Sequence, residues 1–365
     1  MPTALSELAP LSRYELPPES SVDLDYADLA IIDLSRATTP EGREDLAIQV
    51  RDAMIQHGFF YVVNHGYTPS QAQRIFDVAD VPFAHVSDDE KKVYAGTMKA
   101  TGSYQGYKLR QYWHIDAGVH DQLEHYNINR DTSKRQHPEA LRPYLGDVTA
   151  FAEHNHFNVL HPILRLLARG LELPEDTLVD LHGFSAIGET YAPNESSYPR
   201  SLEEEEKTKN VWLKGHTDFG TITILYSQPV GGLQILTPNG VWKWVKYIPN
   251  ALVINAGDAM EFLSGGYYRA TIHRVIQPPE DQQNYTRLGV FYFSMTDDNV
   301  KLAPLVESPV LQRIGIVRRF DDKDAPTMET WRKGRTSAYG QSNLTSTGGG
   351  VESEVINGVV VKHYT

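Results

Sequence analysis

The chain contains no cysteine among its 365 residues. This absence excludes disulfide bonds, thiolate nucleophiles, iron–sulfur clusters and zinc sites built on thiolates. Histidine and the carboxylates remain as the side chains that can bind a transition metal. Any metal chemistry must therefore be sought among the 14 histidines and the 47 acidic residues.

Long apolar runs and an excess of basic residues are also missing. No stretch reaches the length of about 20 apolar residues that a membrane-spanning helix requires. The first residues, Met1 to Pro18, lack the basic-then-apolar order of a secretory signal. A net charge of -13 argues against binding to nucleic acid or to anionic membranes. We therefore expect a cytoplasmic protein that acts on a small molecule and has no obligatory protein partner.

Helical patterns dominate the first half of the chain. With 41% hydrophobic residues, a chain of this length can bury a large core as a single domain. Apolar residues at helical spacing predict one helix that ends at Gly58 and a second that begins after Thr68 with Pro69. A third is predicted over about 138–171, and we expect Pro162 to kink it.

Short strands with turn signals replace this pattern from about residue 184. Pro238-Asn239-Gly240 lies between two strand-like runs and predicts a hairpin. We expect residues 1–183 to form a helix-rich region that packs on a barrel, and residues 184–310 to form the catalytic barrel. Residues 311–365 should add a helix, a flexible loop over 346–350 and a final strand. The predicted class is α+β with a mainly β core, built as a double-sheet jelly roll.

The most informative pattern is His216-Thr217-Asp218 followed by His273. The triplet lies in a strand-like segment, where residues two apart point to the same face, so His216 and Asp218 can bind one ion together. A second β-branched strand can bring His273 from across the barrel. Two imidazoles and one carboxylate on one side of a metal leave its other side open, an arrangement that suits non-haem Fe(II) and oxygen chemistry.

A His-x-Asp triplet alone is a weak signal, because His114-Ile115-Asp116 has the same form without a strand-borne His and Arg after it. The presence of Arg287 strengthens the interpretation of His216-Thr217-Asp218 as part of a metal site. It shares a strand face with Gly289, so both should point into the barrel. A guanidinium in an apolar barrel needs an anion, and a planar carboxylate can pair with it through two hydrogen bonds. The simplest anion is a dicarboxylate cosubstrate. A Zn(II) hydrolase could use the same metal ligands, but it would have no role for Arg287.

These residues resemble the 2-oxoglutarate and Fe(II)-dependent dioxygenases, in the branch that includes isopenicillin N synthase and the plant flavonoid and gibberellin oxygenases. The resemblance covers most of the chain. The run from Gly58 to Gly66 looks like the N-terminal region of that family. Leu123-Glu124-His125-Tyr126 falls where the branch has a similar acidic and aromatic run.

The resemblance implies a jelly-roll fold, with iron bound by His216, Asp218 and His273. It further implies that Arg287 binds the distal carboxylate of 2-oxoglutarate. A contact from Tyr191, shortly before the first ligand, is carried over in the same way. Gly289 stands where the branch commonly has a serine that also touches the cosubstrate. Loss of one neutral hydrogen bond costs only about 1 kcal/mol, so the replacement need not abolish binding.

The reaction implied by the resemblance uses O2, with ascorbate as an optional reductant, and releases succinate and CO2. Hydroxylation, desaturation and ring closure all remain open as outcomes. An aromatic-rich stretch lies in the region where the family places part of its substrate pocket; its members are Tyr104, Tyr107, Tyr112, Trp113 and Tyr126. Such a lining suits a flat apolar molecule of secondary metabolism. We expect Tyr107 and Arg110 to contact it.

Two other functions remain open at this point. The first is an Fe(II) oxidase that uses the same three ligands without 2-oxoglutarate. The second is a non-catalytic protein that binds a small molecule on the same fold. The acidic run Glu203 to Glu206, just before the first ligand strand, is most simply a solvated loop, with a lid over the site as the alternative.

Overall fold

The computed structural model of the protein describes residues 11–364. The expectation about a secretory signal falls partly on residues 1–10, which lie outside that range. Within residues 11–364, no helix combines the length and the apolar character needed to cross a membrane.

The structure gives the following elements, numbered in chain order. The strands are β1 (Ile31–Asp33), β2 (Phe59–Val63), β3 (Gly106–Lys108), β4 (His114–Asp116), β5 (Val119–His120), β6 (Leu123–Asn129), β7 (Tyr191–Ser197), β8 (Val211–His216), β9 (Ile222–Tyr226), β10 (Leu233–Leu236), β11 (Trp242–Trp244), β12 (Leu252–Ala256), β13 (His273–Ile276), β14 (Arg287–Ser294), β15 (Thr345–Gly348), β16 (Val351–Ile356) and β17 (Val359–Tyr364). The α-helices are α1 (Pro40–Gln56), α2 (Pro69–Ala84), α3 (Asp88–Val93), α4 (Met98–Thr101), α5 (Leu145–His154), α6 (His161–Gly170), α7 (Leu202–Thr208), α8 (Asp258–Leu263), α9 (Pro309–Ile314) and α10 (Met328–Ala338).

Most strands belong to two large sheets. The first has eight strands in the order β1-β2-β12-β9-β14-β7-β6-β3, and the second has seven in the order β11-β10-β13-β8-β17-β16-β15. All pairs within these sheets are antiparallel except β1 with β2. The predicted hairpin is confirmed, since β10 pairs with β11 around Pro238-Asn239-Gly240. Two antiparallel sheets with flanking helices confirm the predicted fold class.

The N-terminal helices begin and end where local chemistry predicts. Thr68 caps α2 through a reciprocal capping box with Gln71, and Pro69 occupies the first turn. The helical region predicted over 138–171 is present but irregular. A π-helical turn, Asn155–Leu160, separates α5 from α6, and Pro162 follows it directly in α6. The backbone is helical on both sides of Pro162, so its missing N–H removes a hydrogen bond that a continuous helix would make. These helices cover the first sheet with an apolar core.

The division of the chain into helix-rich, barrel and C-terminal parts is only approximate as a description of the sheets. The helix-rich part supplies β1, β2, β3 and β6 to the first sheet. The loop expected over 346–350 is shorter in the structure, because residues 345–348 form β15 and pair with β16, which leaves a turn at 349–350. The last strand, β17, joins the second sheet beside β8 through Tyr364 and Gly215. The β17–β8 pair joins residues more than 100 positions apart, so the sequence carries no local signal for it.

The acidic run Glu203–Glu206 is also not a loop, as it forms most of α7. Ser201 and Glu204 form a capping box at its start, and acidic residues in a first turn stabilise a helix. Glu205 is buried and accepts a hydrogen bond of 2.7 Å from the indole N–H of Trp212. No residue of α7 lines the cavity described below, so the structure gives no support to the lid alternative.

Candidate active site

The structure brings His216, Asp218 and His273 together at one end of the second sheet. His216 ends β8, His273 begins β13, and the two residues are direct cross-strand partners. One ligand atom from each of the three residues lies within 4.8 Å of the others. The Oδ1 atom of Asp218 is 3.8 Å from Nε2 of His216 and 3.7 Å from Nε2 of His273. This spacing leaves room for one ion between three donor atoms.

Backbone carbonyl groups fix the orientation of both imidazoles. Nδ1–H of His216 donates to the carbonyl of Lys214 at 2.8 Å, and Nδ1–H of His273 donates to the carbonyl of Thr271 at 3.1 Å. Because Nδ1 carries the proton in each ring, the Nε2 lone pairs face Asp218. Burial, and then the neighbouring His273, lower the pKa of His216 to about 3. The ring is therefore neutral at physiological pH, the state that binds a metal.

Hydrogen bonds from two side chains fix the orientation of the Asp218 carboxylate. Its Oδ2 accepts hydrogen bonds from the hydroxyl of Thr223 at 2.6 Å and from the amide of Asn255 at 2.8 Å. These contacts leave Oδ1 free to face the two imidazoles. Burial raises the pKa of Asp218, but the two histidines and these hydrogen bonds reverse that effect, and the pKa is lowered overall. The group is ionised and can serve as the anionic ligand of a divalent metal.

Replacing Thr223 with valine should weaken metal binding about 10-fold or more, because partners that orient a ligand typically contribute 10- to 100-fold in affinity. Anaerobic Fe(II) binding to the apoprotein measures this effect. Thr336→Val is the matched control, since the buried hydroxyl of Thr336 has no hydrogen-bond partner in residues 11–364. Equal affinities in the two variants would show that the hydroxyl of Thr223 does not support the site.

Arg287 begins β14 and lines the same cavity as the three metal-ligand candidates. Only 4% of its surface is exposed, and its Nε is buried without a hydrogen-bond partner among the described residues. Burial lowers the pKa of its guanidinium, although Glu195 opposes that effect. A buried cation with unused donors is unfavourable on its own. The site therefore fits an anion, and a carboxylate matches the guanidinium geometry.

Gly289 lies two residues along the same face of β14, as the strand pattern predicts. A Cβ atom at this position would lie only 2.6 Å from the ring of Phe291. The space that a serine side chain would need is therefore filled by Phe291. This packing gives a physical reason for the departure from the serine of the family, and it means that Gly289 offers no side-chain contact to a cosubstrate.

Gly289→Ser should destabilise the fold by about 1–3 kcal/mol, the usual cost of forcing extra atoms into a packed position. Thermal unfolding of the variant measures this cost. In a Phe291→Ala background the same substitution should cost much less, because the ring that blocks the site is absent. An equal cost in both backgrounds would show that Phe291 is not what excludes a side chain at position 289.

The structure does not bring Tyr191 to Arg287. Tyr191 pairs with Phe293, whereas the partner of Arg287 is six positions further along β7, about 20 Å away at 3.3 Å per residue. The hydroxyl of Tyr191 donates to the carboxylate of Glu189 and accepts from the backbone N–H of Tyr104. Tyr191 lines the same cavity as the metal-ligand candidates but lies away from Arg287, so its contact with the cosubstrate stays a prediction.

Tyr107 and Arg110, the expected substrate contacts, also lie away from the cavity. Tyr107 is 1% exposed, and its hydroxyl donates to the carbonyl of Pro82 at 2.9 Å, so it is a core residue. The guanidinium of Arg110 stacks on the ring of Tyr198 at 4.8 Å. An aromatic-rich segment predicted the correct region, but alternation along a short strand did not show which rings turn inward.

Several cavity residues were not identified from the sequence. Aromatic rings from separate parts of the chain form much of the wall: Tyr104 and Trp113 belong to the aromatic stretch expected from the sequence, whereas Phe219, Phe293 and Tyr339 do not. The C-terminal segment adds Glu354 and His363 to this wall. Thr223, five residues after Asp218 in a clear strand pattern, carried a usable local signal. The C-terminal residues carried none, because long-range pairing alone places them here.

Comparison with known proteins agrees with this geometry. Residues 190–296 match the model of the 2OG-Fe(II) oxygenase superfamily, and residues 29–146 match that of the non-haem dioxygenase in morphine synthesis N-terminal region. Jasmonate-induced oxygenase 4 of Arabidopsis thaliana is 28% identical over 288 residues, covering 75% of each chain. The 2-oxoglutarate-dependent dioxygenase tropC of Talaromyces stipitatus is 29% identical over 302 residues, covering 74% of this chain and 86% of its own.

Solved structures show the same fold. A full-length Neurospora crassa protein, solved in complex with alpha-KG and 5-formyluracil, superposes with a TM-score of 0.73 at 20% identity and covers 88% of this chain and 100% of its own. JOX2 in complex with 2OG, Fe and JA gives a TM-score of 0.60 at 24% identity and covers 79% of this chain and 81% of its own. The two family models, the relatives and the fold agree with one another. The chain belongs to the 2OG-Fe(II) oxygenase superfamily, as an oxidoreductase that uses Fe(II), 2-oxoglutarate and O2.

Proposed function

We propose that His216, Asp218 and His273 bind the catalytic Fe(II) and that Arg287 binds the distal carboxylate of 2-oxoglutarate. One observation carries this assignment: three ligand atoms converge in the cavity that also contains a buried guanidinium, whose Nε has no hydrogen-bond partner among the described residues. Fe(II) with 2-oxoglutarate and O2 supplies the oxidant that removes hydrogen from a C–H bond, with release of succinate and CO2. Relatives named as 2-oxoglutarate-dependent dioxygenases favour this function over the oxidase and the non-catalytic alternatives.

The chain's own residues bind, orient and exclude water. Thr223 and Asn255 keep the Asp218 carboxylate in one orientation, so the ligand set does not have to reorganise when metal arrives. Apolar side chains line the cavity that contains the triad and Arg287; they are Phe59, Leu213, Leu225, Leu233 and Val275. This lining keeps water from the guanidinium and strengthens its attraction for a carboxylate.

The substrate proposed for this site is a small organic molecule of secondary metabolism that is hydroxylated, desaturated or cyclised. Aromatic rings on the cavity wall support a flat partner. Relatives carry the names scopoletin 8-hydroxylase, in Arabidopsis thaliana, and mugineic-acid 3-dioxygenase, in Hordeum vulgare, which are consistent with that class. The net charge of -13 supports action without nucleic acid, and we propose a cytoplasmic enzyme without an obligatory protein partner.

An anaerobic titration of the apoprotein with Fe(II) and 2-oxoglutarate tests the assignment. We expect a weak visible charge-transfer band that saturates at one equivalent of each. A panel of small metabolites, scored for succinate release under air, then identifies substrates. Failure to form the band, or product formation without stoichiometric succinate, would contradict the proposed function.

A further inference from the structure

The wall of the cavity contains a carboxylate that has few partners. Glu195 lies on β7, directly opposite His125 on β6 and Gly289 on β14. One carboxylate oxygen of Glu195 is 3.3 Å from Nε2 of His125. On the other side of Glu195, Gly289 has no side chain that could donate a hydrogen bond to the carboxylate. No further protein donor in residues 11–364 reaches this carboxylate.

Other charged groups of the described lining are already satisfied. Arg335 donates to the carboxylate of Asp258 and, at 2.9 Å, to the carbonyl of Thr217. Glu354 accepts a hydrogen bond of 2.9 Å from His363. Outside the metal-ligand candidates, the lining therefore offers one cation and one anion with unused hydrogen-bonding capacity. The cation is Arg287 and the anion is the carboxylate that faces His125.

Glu195 is ionised in this position. Burial raises the pKa of its carboxyl group, but His125 and then Arg287 reverse that effect, and the pKa is lowered overall. An ionised carboxylate has about four acceptor positions. Holding it in a cavity with a single neighbour is costly unless donors from a bound molecule complete its set.

Aromatic rings stand beside this pair. Tyr104 stacks on the imidazole of His125, with ring centres 6.3 Å apart and planes 30° apart. Tyr339 meets Tyr104 edge-on at 5.4 Å and lies 6.5 Å from His125. Stacked and edge-on rings of this kind favour a flat molecule packed beside them.

We propose that Glu195, oriented by His125, is the polar recognition point for the substrate, and that the substrate is a flat molecule with N–H or O–H donors, neutral or cationic rather than a carboxylate. This inference rests on the proposed function, because it reserves Arg287 for 2-oxoglutarate. With that cation occupied, a second carboxylate would find no free cation in the described lining and would be repelled by Glu195.

Three planar probes of equal size test the inference: benzamidine is a cation with N–H donors, benzamide is a neutral donor, and benzoate is an anion. Each is titrated calorimetrically, without oxygen, into enzyme saturated with Fe(II) and 2-oxoglutarate. We expect benzamidine to bind most tightly and benzoate to bind at least about tenfold more weakly. Glu195→Gln should reduce that ratio by about tenfold, because a charge-assisted contact is lost.

Glu124→Gln is the matched control. Glu124 is a buried carboxylate next to His125, but it points to the opposite face of β6 and pairs with Lys91 at 3.1 Å. This variant should keep the wild-type order of probes. Tightest binding of benzoate, no binding of benzamidine, or an unchanged ratio in Glu195→Gln would each overturn the inference. A change only in affinity for 2-oxoglutarate would instead make Glu195 a partner of Arg287, which also overturns it.

The same experiment distinguishes a failure of the proposed function from a failure of the inference about Glu195. Binding of Fe(II) and 2-oxoglutarate is measured before any probe is added, so its absence contradicts the assignment of the metal ligands and Arg287. Normal binding of both, followed by the wrong order of probes, contradicts only the role of Glu195.

Discussion

His216→Ala is expected to abolish turnover and to reduce Fe(II) affinity by more than about 100-fold. Among residues 11–364, three side chains converge on the proposed metal position, so removal of one imidazole leaves two of these ligands. Partners that merely orient a ligand already contribute 10- to 100-fold, and loss of a ligand itself must cost more. Anaerobic Fe(II) titration and succinate release with saturating 2-oxoglutarate measure the two effects.

His114→Ala provides the control for this experiment, because His114-Ile115-Asp116 repeats the His-x-Asp spacing in a different place. His114 is exposed in the small β4–β5 hairpin, and its ring accepts a hydrogen bond of 3.1 Å from the backbone N–H of Gly118. This variant should bind iron and turn over as the wild type does. Undiminished turnover in His216→Ala would remove the basis for the proposed iron centre.

The contrast between these triplets shows what could be predicted from the sequence. His216 and Asp218 depend on alternation within one strand, which is a local property. The distant His273 could be joined to them because its own strand was clear and because the resulting ligand set makes chemical sense. Arg287 followed from the cost of burying an unpaired cation. Each of these inferences needed only a local pattern and a general energetic rule.

The remaining cavity residues depend on long-range packing. Tyr107 and Tyr104 lie three residues apart in the same aromatic stretch, but one is buried in the helical core and the other lines the cavity. His363 reaches the site because β17 joins the second sheet beside β8, and Tyr339 reaches it from the end of α10, which packs against α4 and β16. No local periodicity encodes either outcome. The departure at Gly289 likewise gained its explanation only from the position of the Phe291 ring.

Arg287→Ala is expected to raise the KM for 2-oxoglutarate by roughly 10- to 100-fold or more, while metal binding stays near its wild-type value. A charge-assisted hydrogen bond contributes about 1.5–3 kcal/mol, and each 1.4 kcal/mol is a factor of ten. The effect falls on the cosubstrate because Arg287 makes no hydrogen bond or ion pair with another described residue, so its removal breaks none within the protein. Initial rates of succinate formation over a range of 2-oxoglutarate concentrations measure the change.

Two further variants separate recognition of the carboxylate from simple loss of charge. Arg287→Lys keeps the charge but cannot form two parallel hydrogen bonds, so its KM should lie between those of the wild type and the alanine variant. Arg110→Ala removes the guanidinium that stacks on Tyr198 outside the cavity and should leave the KM unchanged. If Arg287→Ala lowered the maximal rate and iron affinity at an unchanged KM, the guanidinium would be supporting the metal site. The carboxylate of the cosubstrate would then need another partner, and the described lining offers no other cation that is free to serve.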